Sequence, residues 1–356
     1  MSSHHTSIPS YNALMRYAKM LGFGSIHTVI DAKTGLHAIV AIHSSKLGPA
    51  IGGCRFYEYK SSELALKDVL RLSYGMTLKA AASRLPHGGA KAVIIKPKGK
   101  FDRAALFRRF GDFVQTLNGQ YITAMDMGTT VEDMNAIVER TPYVIGAQLP
   151  GRVDQDPSPS TARGVFRAMQ AAVKFKLNKN NLKDLHVAIQ GAGHVGYVIA
   201  KHCIEDGAKV TIADINKIAI EKCKRDLHVD VADTKDIESI YCDIFSPCAL
   251  GGTIDLDFVN KLKAKIIVGA ANNQLANHQF AHVLADRDIL YLPDFFINAG
   301  GLIISALIYT HQDLEMGNRK IDEIYQNTLF LLERAAKTNK TTTLVAEEMA
   351  LEKLKS

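Results

Sequence analysis

One segment limits the possible fold of this chain more than any other, namely Gly191-Ala192-Gly193-His194-Val195-Gly196. It directly follows an apolar stretch, residues 186–190, that predicts a β-strand, and it opens a predicted helix. The next predicted strand, residues 209–213, ends at Asp214, 23 residues after Gly191. A strand, a glycine-rich turn, a helix and a second strand in this order are typical of a parallel sheet with helices on both faces.

The residues of this segment have the chemistry of a dinucleotide site. Gly191 permits a sharp turn, Gly193 lets a pyrophosphate approach the backbone, and Gly196 lets the helix pack closely on the strand. The start of the helix supplies amide donors and a partial positive charge. Asp214 would accept hydrogen bonds from ribose hydroxyls and repel a 2′-phosphate, so NAD is predicted rather than NADP. An ordinary glycine turn beside a solvated aspartate is the alternative, and such a unit alone does not determine the reaction.

The rest of the chain predicts a second domain. A length of 356 residues exceeds what one hydrophobic core usually serves. Residues 151–329 alternate strand and helix, which predicts a Rossmann-type, doubly wound nucleotide-binding domain. Residues 1–150 mix strands and helices differently and predict a separate α/β domain. The proline- and polar-rich segment 151–159 marks the expected boundary.

Within the N-terminal half, the pattern predicts alternating elements. Residues 35–43 and 91–95 are apolar enough to form strands. A helix is expected to begin with a serine cap at residues 61–62 and to continue toward Met76. The glycine pair Gly52-Gly53 predicts a tight turn between the first strand and this helix.

Composition excludes several classes of function. Five cysteines form no Cys-x-x-Cys pair and thirteen histidines show no ligand spacing, so neither a metal site nor a disulfide framework is predicted and a reducing cytoplasm is favoured. No signal peptide is visible at the N-terminus, and the longest mostly apolar run, residues 300–309, is too short to cross a bilayer. The net charge of +7 is spread along the chain, which indicates a solvated surface rather than a nucleic-acid site.

Two lysines are the strongest candidates for chemistry. Lys79 ends Gly75-Met76-Thr77-Leu78-Lys79, and Lys91, twelve residues later, ends Gly88-Gly89-Ala90-Lys91. If the two lysines lie close together, the ammonium of one could neutralise a bound carboxylate. The like charge and burial would then lower the pKa of the other lysine, which makes it a usable base near neutral pH. From the spacing alone, two solvated surface lysines fit equally well.

Further segments make the chain similar to a known family. They occur in order around the nucleotide motif: Gly48-Pro49-Ala50-Ile51-Gly52-Gly53-Cys54-Arg55, the two lysine segments, Asp126-Met127-Gly128-Thr129-Thr130 and Asn298-Ala299-Gly300-Gly301. From about residue 26 onward the chain resembles the glutamate/leucine/phenylalanine/valine family of amino-acid dehydrogenases. The resemblance implies a cytoplasmic homo-oligomer, from dimer to octamer, whose N-terminal domain binds substrate and oligomerises. The C-terminal helices, about residues 330–356, are expected to fold back onto that domain.

The resemblance also implies a reaction. An L-amino acid, NAD and water would give a 2-oxo acid, ammonia and NADH, reversibly. Lys79 is implied to bind the substrate carboxylate, Lys91 to act as the acid/base, and Asp126 to shuttle protons at the amine. Four other residues are implied to contact substrate or cofactor: Gly52 and Asn298 for the substrate, and Thr161 and Asn273 for the nicotinamide side of NAD.

Side-chain specificity follows from the same resemblance. Family members that act on glutamate carry a lysine where this chain has Ile51, and the other implied pocket positions are Ala124, Leu302 and Ser305. Such a pocket has no cation, so an apolar amino acid is predicted, with leucine, isoleucine and valine ahead of phenylalanine. Ser305 would either contact the substrate or bond a nearby backbone carbonyl. A non-catalytic NAD sensor is the alternative from another class, but it has no chemical use for the lysine pair.

Overall fold

The computed structural model describes residues 9–148 and 156–355. The chain divides on either side of residue 155 into two compact α/β units, which confirms the predicted fold class. Most of the predicted boundary segment, residues 151–155, lies outside the described residues. Among the helices of the described ranges, none has the length and apolar character needed to cross a membrane.

The first unit contains one mixed sheet and four helices among its described residues. In chain order they are α1 (Tyr11–Leu21), β1 (Ser25–Asp31), β2 (Leu36–Ser44), β3 (Ala50–Tyr57), α2 (Ser62–Ala82), β4 (Gly88–Ile95), α3 (Arg103–Thr116), β5 (Tyr121–Met125) and α4 (Val131–Val138). The sheet order is β1-β2-β4-β3-β5. β2 runs antiparallel to β1 and β4, whereas β3 runs parallel to β4 and β5.

The two faces of this sheet bury separate cores, because side chains alternate along each strand. Ala90, Ala92 and Ile94 of β4 belong to the core that includes the buried side of α3. Val93 belongs to the opposite core, which contains apolar residues of α1 and α2. Lys91 has the same parity as Val93, so the sheet presents it to the α2 side.

The glycine pair Gly52-Gly53 lies inside β3, which corrects the predicted turn. A Cβ atom at Gly52 would overlap the carbonyl oxygen of Ala90 on β4. A Cβ atom at Gly53 would lie 2.6 Å from the Met125 carbonyl oxygen and 2.9 Å from Cβ of Asp126. The pair is therefore required because neighbouring strands approach closely, which a single sequence does not distinguish from a turn.

Helix α2 begins as predicted and is longer than predicted. The Ser61 hydroxyl caps it by accepting the backbone N–H of Leu64 at 3.3 Å. The helix continues six residues past Met76 and ends at Ala82. Consequently Lys79 lies in the last helical turn, on the element that covers β4.

The second unit contains a parallel sheet within its described residues. Its elements are α5 (Ser158–Leu177), β6 (His186–Gln190), α6 (His194–Glu205), β7 (Lys209–Ala213), α7 (Lys217–Leu227), β8 (Asp230–Val231), β9 (Ile244–Pro247), α8 (Leu256–Lys261), β10 (Ile266–Ile267), α9 (Phe280–Asp286), β11 (Leu290–Tyr291), α10 (Asp294–Ile297), α11 (Gly300–Tyr309), α12 (Leu314–Thr338) and α13 (Thr342–Lys353). The strand order is β11-β10-β9-β6-β7-β8, and all pairs are parallel. The order reverses beside β6, which is where ligands bind in such sheets.

The C-terminal helices have their described contacts in the second unit. α12 packs along α5 and α11, and α13 packs on α12. The Thr342 hydroxyl donates to the carbonyl oxygen of Tyr291 at 2.5 Å. α12 and α13 thus belong to the second compact unit. Their return onto the N-terminal domain stays a prediction.

Candidate active site

Lys91 and Asp126 form an ion pair on the α2 side of the first sheet. Asp126 directly follows β5, and its Oδ1 lies 3.1 Å from Nζ of Lys91. The Lys91 side chain is only 8% exposed and that of Asp126 19%. Two of the three residues implied in catalysis, 35 positions apart in the chain, are therefore in direct contact.

Arg55 holds the other oxygen of the same carboxylate. Its Nε donates to Oδ2 of Asp126 at 2.9 Å, and its Nη1 donates to Oδ2 of Asp68 on α2 at 2.8 Å. Sequence reasoning missed this residue as a functional candidate. The only signal was its place at the end of the segment that contains Gly52, since its partner Asp126 lies 71 residues further on.

The charges around Asp126 keep it ionised. Burial raises the pKa of Asp126, but the positive charges of Lys91 and Arg55 outweigh burial and hold the pKa below its ordinary value of 3.8. The neighbouring Cys54 behaves oppositely, because burial raises the pKa of its thiol well above the ordinary value. At neutral pH Asp126 is therefore a carboxylate, held between Nζ of Lys91 and the guanidinium of Arg55.

The loop that carries Asp126 is held by its own backbone contacts. The Asp126 N–H donates to the Thr129 hydroxyl at 2.8 Å. Gly128 adopts φ +84°, and a side chain there would overlap the carbonyl oxygen of Phe56. Arg103 donates to the Gly128 carbonyl oxygen at 2.7 Å. These contacts leave the Asp126 side chain little freedom to move away from the Lys91 ammonium.

Lys79 lies near a direct contact between α2 and β4. The Thr77 hydroxyl is 3.3 Å from the carbonyl oxygen of Gly89, and a side chain at Gly89 would overlap the Thr77 backbone. Lys79 and Lys91 each stand two residues beyond this contact, on elements that touch. Glycine in β4 thus allows the close approach of the helix that carries the half-buried Lys79.

A buried histidine supports the same contact. His43 Nε2 is 2.9 Å from the carbonyl oxygen of Leu21, and Nδ1 is 2.9 Å from the Thr77 hydroxyl. Burial lowers the pKa of His43, and the bond to Leu21 opposes this only in part. The neutral ring must carry its proton on Nε2, since a carbonyl can only accept, so the Thr77 hydroxyl donates to Nδ1. His43 therefore fixes Thr77 without adding a charge.

The predicted side-chain pocket positions of the first unit share this face of the sheet. Alternation along β3 and β5 gives Ile51 and Ala124 the same side as Arg55. Ile51 is almost fully buried, and Ala124 is partly exposed. The carbonyl oxygen of Gly52 accepts the Tyr121 hydroxyl at 2.7 Å, which holds this part of β3 in place.

In the second unit, the glycine loop has the shape that its sequence predicts. Gly191 adopts φ +111°, and a Cβ atom at Gly196 would overlap the Gly191 carbonyl oxygen. Nothing described lies within 4 Å of a Cβ atom built at Gly193, so this position is open. His194 and Val195 follow as the first residues of α6, and Gly193 is its N-cap without a side chain. The loop can accept a phosphate at the start of the helix.

Asp214 bonds to this loop through both carboxylate oxygens. Oδ2 accepts the N–H of Ala192 at 2.6 Å, and Oδ1 accepts the N–H of Asn216 at 2.7 Å. The acid at the end of β7 thus ties the glycine turn to the start of the segment that leads to α7. Its negative charge stands beside the loop, where the sequence placed the ribose of a dinucleotide.

Asn298, the predicted substrate contact, bonds to the segment that precedes Asn273, the predicted cofactor contact. Its Nδ2 donates to the carbonyl oxygen of Ala270 at 3.0 Å and to Oδ1 of Asn272 at 2.8 Å. Its own Oδ1 is buried and has no partner among the described residues. The backbone N–H of Asn273 donates to Oδ2 of Asp294 at 2.8 Å. The unpartnered oxygen of Asn298 is therefore available to a ligand donor.

The remaining second-unit candidates lie on α11 and on α5, which contacts the start of α11. The Thr161 hydroxyl accepts the N–H of Gly301 at 3.1 Å and donates to the carbonyl oxygen of Pro157 at 3.0 Å. Leu302 and Ser305, three residues apart, share one face of α11 and are partly exposed. Thr161 thus fixes the helix that carries both predicted pocket residues.

Other reactive groups in the described ranges offer no second centre. Among residues 9–148 and 156–355, no cluster of His, Cys, Asp or Glu could hold a metal ion. The five cysteines there are free, and burial raises the pKa of Cys242 to about 12 and that of Cys248 above its ordinary value. Buried protonated thiols of this kind are inert.

Comparison with known proteins shows similarity along most of the chain. Residues 24–143 match the Glu/Leu/Phe/Val dehydrogenase dimerisation domain. Residues 155–222 and 211–354 match the Glutamate/Leucine/Phenylalanine/Valine dehydrogenase domain.

Individual relatives are similar over nearly their whole length. The chain is 42% identical over 343 residues to leucine dehydrogenase from Geobacillus stearothermophilus, which covers 96% of this chain and 94% of the relative. It is 42% identical over 311 residues to phenylalanine dehydrogenase from Lysinibacillus sphaericus, which covers 86% and 82%. The crystal structure of L-tryptophan dehydrogenase from Nostoc punctiforme matches with a TM-score of 0.84 and 37% identity, over 96% of this chain and 98% of that one.

Proposed function

The chain belongs to the glutamate/leucine/phenylalanine/valine dehydrogenase family, and from that premise we propose that it catalyses the reversible, NAD-dependent oxidative deamination of an apolar L-amino acid. Leucine is the proposed first substrate, and the products are the 2-oxo acid, ammonia and NADH. The observation that carries this proposal is the buried Lys91–Asp126 pair at 3.1 Å. It supplies two proton-transfer groups in contact, as the removal of an amine requires.

The proposed chemistry assigns one task to each side chain. NAD, when bound at the glycine loop, would supply the hydride acceptor, and loss of hydride from the α-carbon would convert the substrate amine to an iminium ion. Asp126 takes a proton from the substrate ammonium before the hydride leaves, and Lys91, acting as the neutral amine, removes a proton from the water that attacks the iminium ion. Asp126 then returns its proton to the nitrogen, and the proton of the carbinolamine hydroxyl leaves through Asp126 as the C–N bond breaks and ammonia departs. Lys79, on the helix that covers β4, holds the substrate carboxylate so that the α-carbon stays in place.

Cofactor choice is proposed from the surroundings of the glycine loop. The open position at Gly193 fits a pyrophosphate, and the start of α6 faces it with amide donors. The Asp214 carboxylate beside the loop favours ribose hydroxyls over a 2′-phosphate, because two anions would repel each other. Thr161 and Asn273 are proposed to contact the nicotinamide side. NAD is therefore the proposed cofactor rather than NADP.

Substrate choice is proposed from the side-chain positions that the family resemblance implies. Ile51, Ala124 and Leu302 carry no charge, and Ser305 has only a hydroxyl. A glutamate side chain would bury its carboxylate without a cation there, which is strongly unfavourable. The buried Oδ1 of Asn298 can accept a hydrogen bond from the substrate ammonium. Branched-chain amino acids fit this set, and phenylalanine is the within-family alternative that the relatives support.

We also propose a cytoplasmic homo-oligomer. The matched N-terminal domain of the family is described as a dimerisation domain. The cysteines of the described ranges are free thiols, which suits a reducing compartment. Light scattering of the purified protein would check the assembly, and a monomer at working concentration would contradict it.

A steady-state assay tests the reaction itself. Purified protein would be mixed with NAD and one amino acid from a panel of leucine, isoleucine, valine, phenylalanine and glutamate, and NADH absorbance followed. We expect turnover with the branched-chain substrates, little with glutamate, and much less with NADP. NADH binding without turnover on any amino acid would instead support a sensor, and equal kcat/KM for glutamate and leucine would contradict the proposed pocket.

A further inference from the structure

We infer that Arg55 is a positioning residue for Asp126. It holds one carboxylate oxygen, so that the other is presented to Lys91 and to the reacting amine. This inference rests on the proposed deamination, and it adds a residue that neither the motifs nor the family resemblance assigned. It depends on a chain of contacts from α2 through β3 to the end of β5.

The guanidinium of Arg55 spans two carboxylates. Nε bonds Asp126 and Nη1 bonds Asp68, at 2.9 and 2.8 Å. These nitrogens belong to one planar group, so fixing one fixes the direction of the other. A lysine ammonium at this position is a single point charge on a flexible stem and could not reproduce both bonds in the same geometry.

Asp68 is itself held from two other sides. Its Oδ2 accepts the Tyr59 hydroxyl at 2.8 Å, and its Oδ1 accepts Nη2 of Arg71 at 3.0 Å. Burial raises the pKa of Asp68, but the Arg55 charge and the bonds from Tyr59 and Arg71 bring it below the ordinary value. Burial and the Asp68 charge raise the pKa of Tyr59, so its hydroxyl stays a donor. Asp68 is therefore a fixed anion that anchors the guanidinium.

The arrangement divides the two oxygens of Asp126 between two tasks. Oδ2 points to Arg55, which lies in β3 and whose guanidinium is also bonded to Asp68. Oδ1 points to Nζ of Lys91, the proposed acid/base of the reaction. Without Arg55 the plane of the carboxylate could rotate, and the proton acceptor would lose its fixed direction toward Lys91 and the amine.

The same contact sets how strongly Asp126 holds a proton. A carboxyl group beside a permanent cation is a stronger acid, so a proton taken from the amine is readily returned when the carbinolamine collapses. The groups facing Asp126 from the packed elements include more than Arg55. They are Lys91 from β4, with Tyr59 and Asp68 behind the guanidinium. Cys54 of β3 and Tyr121 of β5 belong to the core on the other face of the sheet, and burial raises the pKa of each, with a contribution from the Asp126 charge.

The test compares three variants with wild type. Arg55→Ala removes the guanidinium. Arg55→Lys keeps the positive charge but not the planar group that bonds both carboxylates, and Asp68→Asn removes the negative charge that holds Arg55. The matched control is Arg108→Ala, which breaks an arginine–carboxylate pair of the same unit, with Glu139, on the opposite side of the sheet from α2. Each protein is assayed for leucine oxidation across pH, for NADH affinity by fluorescence and for thermal unfolding.

Arg55→Ala is expected to lower kcat by on the order of 10²-fold, as misplacement of a reacting group does. NADH affinity should be unchanged, because the nucleotide candidates lie in the other unit. The acidic limb of the kcat/KM profile should move to higher pH, since Asp126 without Arg55 has a higher pKa. Added guanidinium at low concentration should restore part of the activity.

Arg55→Lys and Asp68→Asn separate geometry from charge. Arg55→Lys should lower kcat while the acidic limb stays near that of wild type, because the positive charge remains. Asp68→Asn should lower kcat by a smaller factor without rescue by guanidinium, because Arg55 is present but less well anchored. Arg108→Ala should match wild type in kcat and in pH profile.

The outcomes distinguish this inference from the proposed function. Wild-type kcat and an unmoved acidic limb in Arg55→Ala would overturn the positioning role. Full activity in Arg55→Lys would do so as well, since charge alone would then suffice. If Arg55→Ala does not fold, Arg55→Lys and Asp68→Asn still decide. A wild-type protein with no amino-acid-dependent NADH formation would overturn the proposed function instead, whatever the variants do.

Discussion

The two units build their candidate sites from different materials. In the first unit, Asp126 is held by charged side chains, Lys91 on one oxygen and Arg55 on the other. In the second unit, the loop at Gly191 is shaped by a positive φ and by close approach of backbone atoms. The Asp214 carboxylate holds this loop by accepting a backbone N–H. Substitutions that shorten a charged side chain should therefore disrupt the first site. Substitutions that add a side chain to a glycine should disrupt the second.

This difference has a consequence for electrostatics. Each side chain at the first site alters the charge felt by its neighbours, so substitutions there should change proton transfer as well as geometry. At the glycine loop, backbone amides keep their dipoles whatever the side chains are. Substitutions there should change binding and packing while leaving the pH dependence of the reaction alone.

The largest expected effect is on the charged site. Lys91→Ala should lower kcat for leucine oxidation by on the order of 10²–10⁴-fold, because it removes a proton-transfer group in contact with Asp126. NADH affinity, measured by fluorescence titration, should be retained. Lys98→Ala, at an exposed position just beyond β4, is the matched control and should keep wild-type turnover. A Lys91→Ala enzyme with wild-type kcat would remove the assignment.

A smaller effect is expected at the glycine loop. Substitutions at two of its glycines should distinguish an effect on NAD binding from an effect on packing of the fold. Gly193→Ala adds a methyl group into open space, so thermal unfolding should be unchanged while NAD affinity falls. Gly196→Ala forces a methyl group against the Gly191 carbonyl oxygen and should also destabilise the protein, by about 1–3 kcal/mol. Isothermal titration and thermal melts check both. Equal melting temperatures for the two variants would contradict the packing argument.

The smallest expected effect concerns the buried His43. Burial lowers its pKa in the folded state, so below the ordinary value of 6.5 the unfolded state binds a proton that the folded state does not. Stability should therefore fall as pH drops below about 6.5, by at most about 1.4 kcal/mol per pH unit from this group. His43→Gln should show a flatter dependence in urea unfolding over the same range. His87, whose pKa burial also lowers, remains in both proteins and serves as an internal reference.

Local sequence patterns predicted the elements around the nucleotide loop well. β6 and β7 begin and end at the predicted residues, because short apolar strands bounded by glycine and aspartate leave few alternatives. The serine cap of α2 was also predicted, since capping is a contact between residues three positions apart. Contacts between residues this close in the chain can be predicted from a single sequence.

Contacts between distant segments could not be predicted in the same way. The pair at Gly52 looks like a turn until β4 is known to lie against it. Arg55 carries no local sign that it bonds Asp126, 71 residues away. The family resemblance implied roles for Lys91 and Asp126. It implied nothing about the residue that holds the Asp126 carboxylate in its orientation. Those roles themselves stay predictions.

The double attachment of Asp214 limits how the proposed preference for NAD could be changed. Its two oxygens accept the N–H groups of Ala192 and Asn216, so the side chain is a mechanical support of the turn as well as an anion. Replacement by alanine to admit a phosphorylated ribose would release two backbone amides together with the charge. A successful exchange would need a neutral side chain, or an ordered water, that still accepts from both amides.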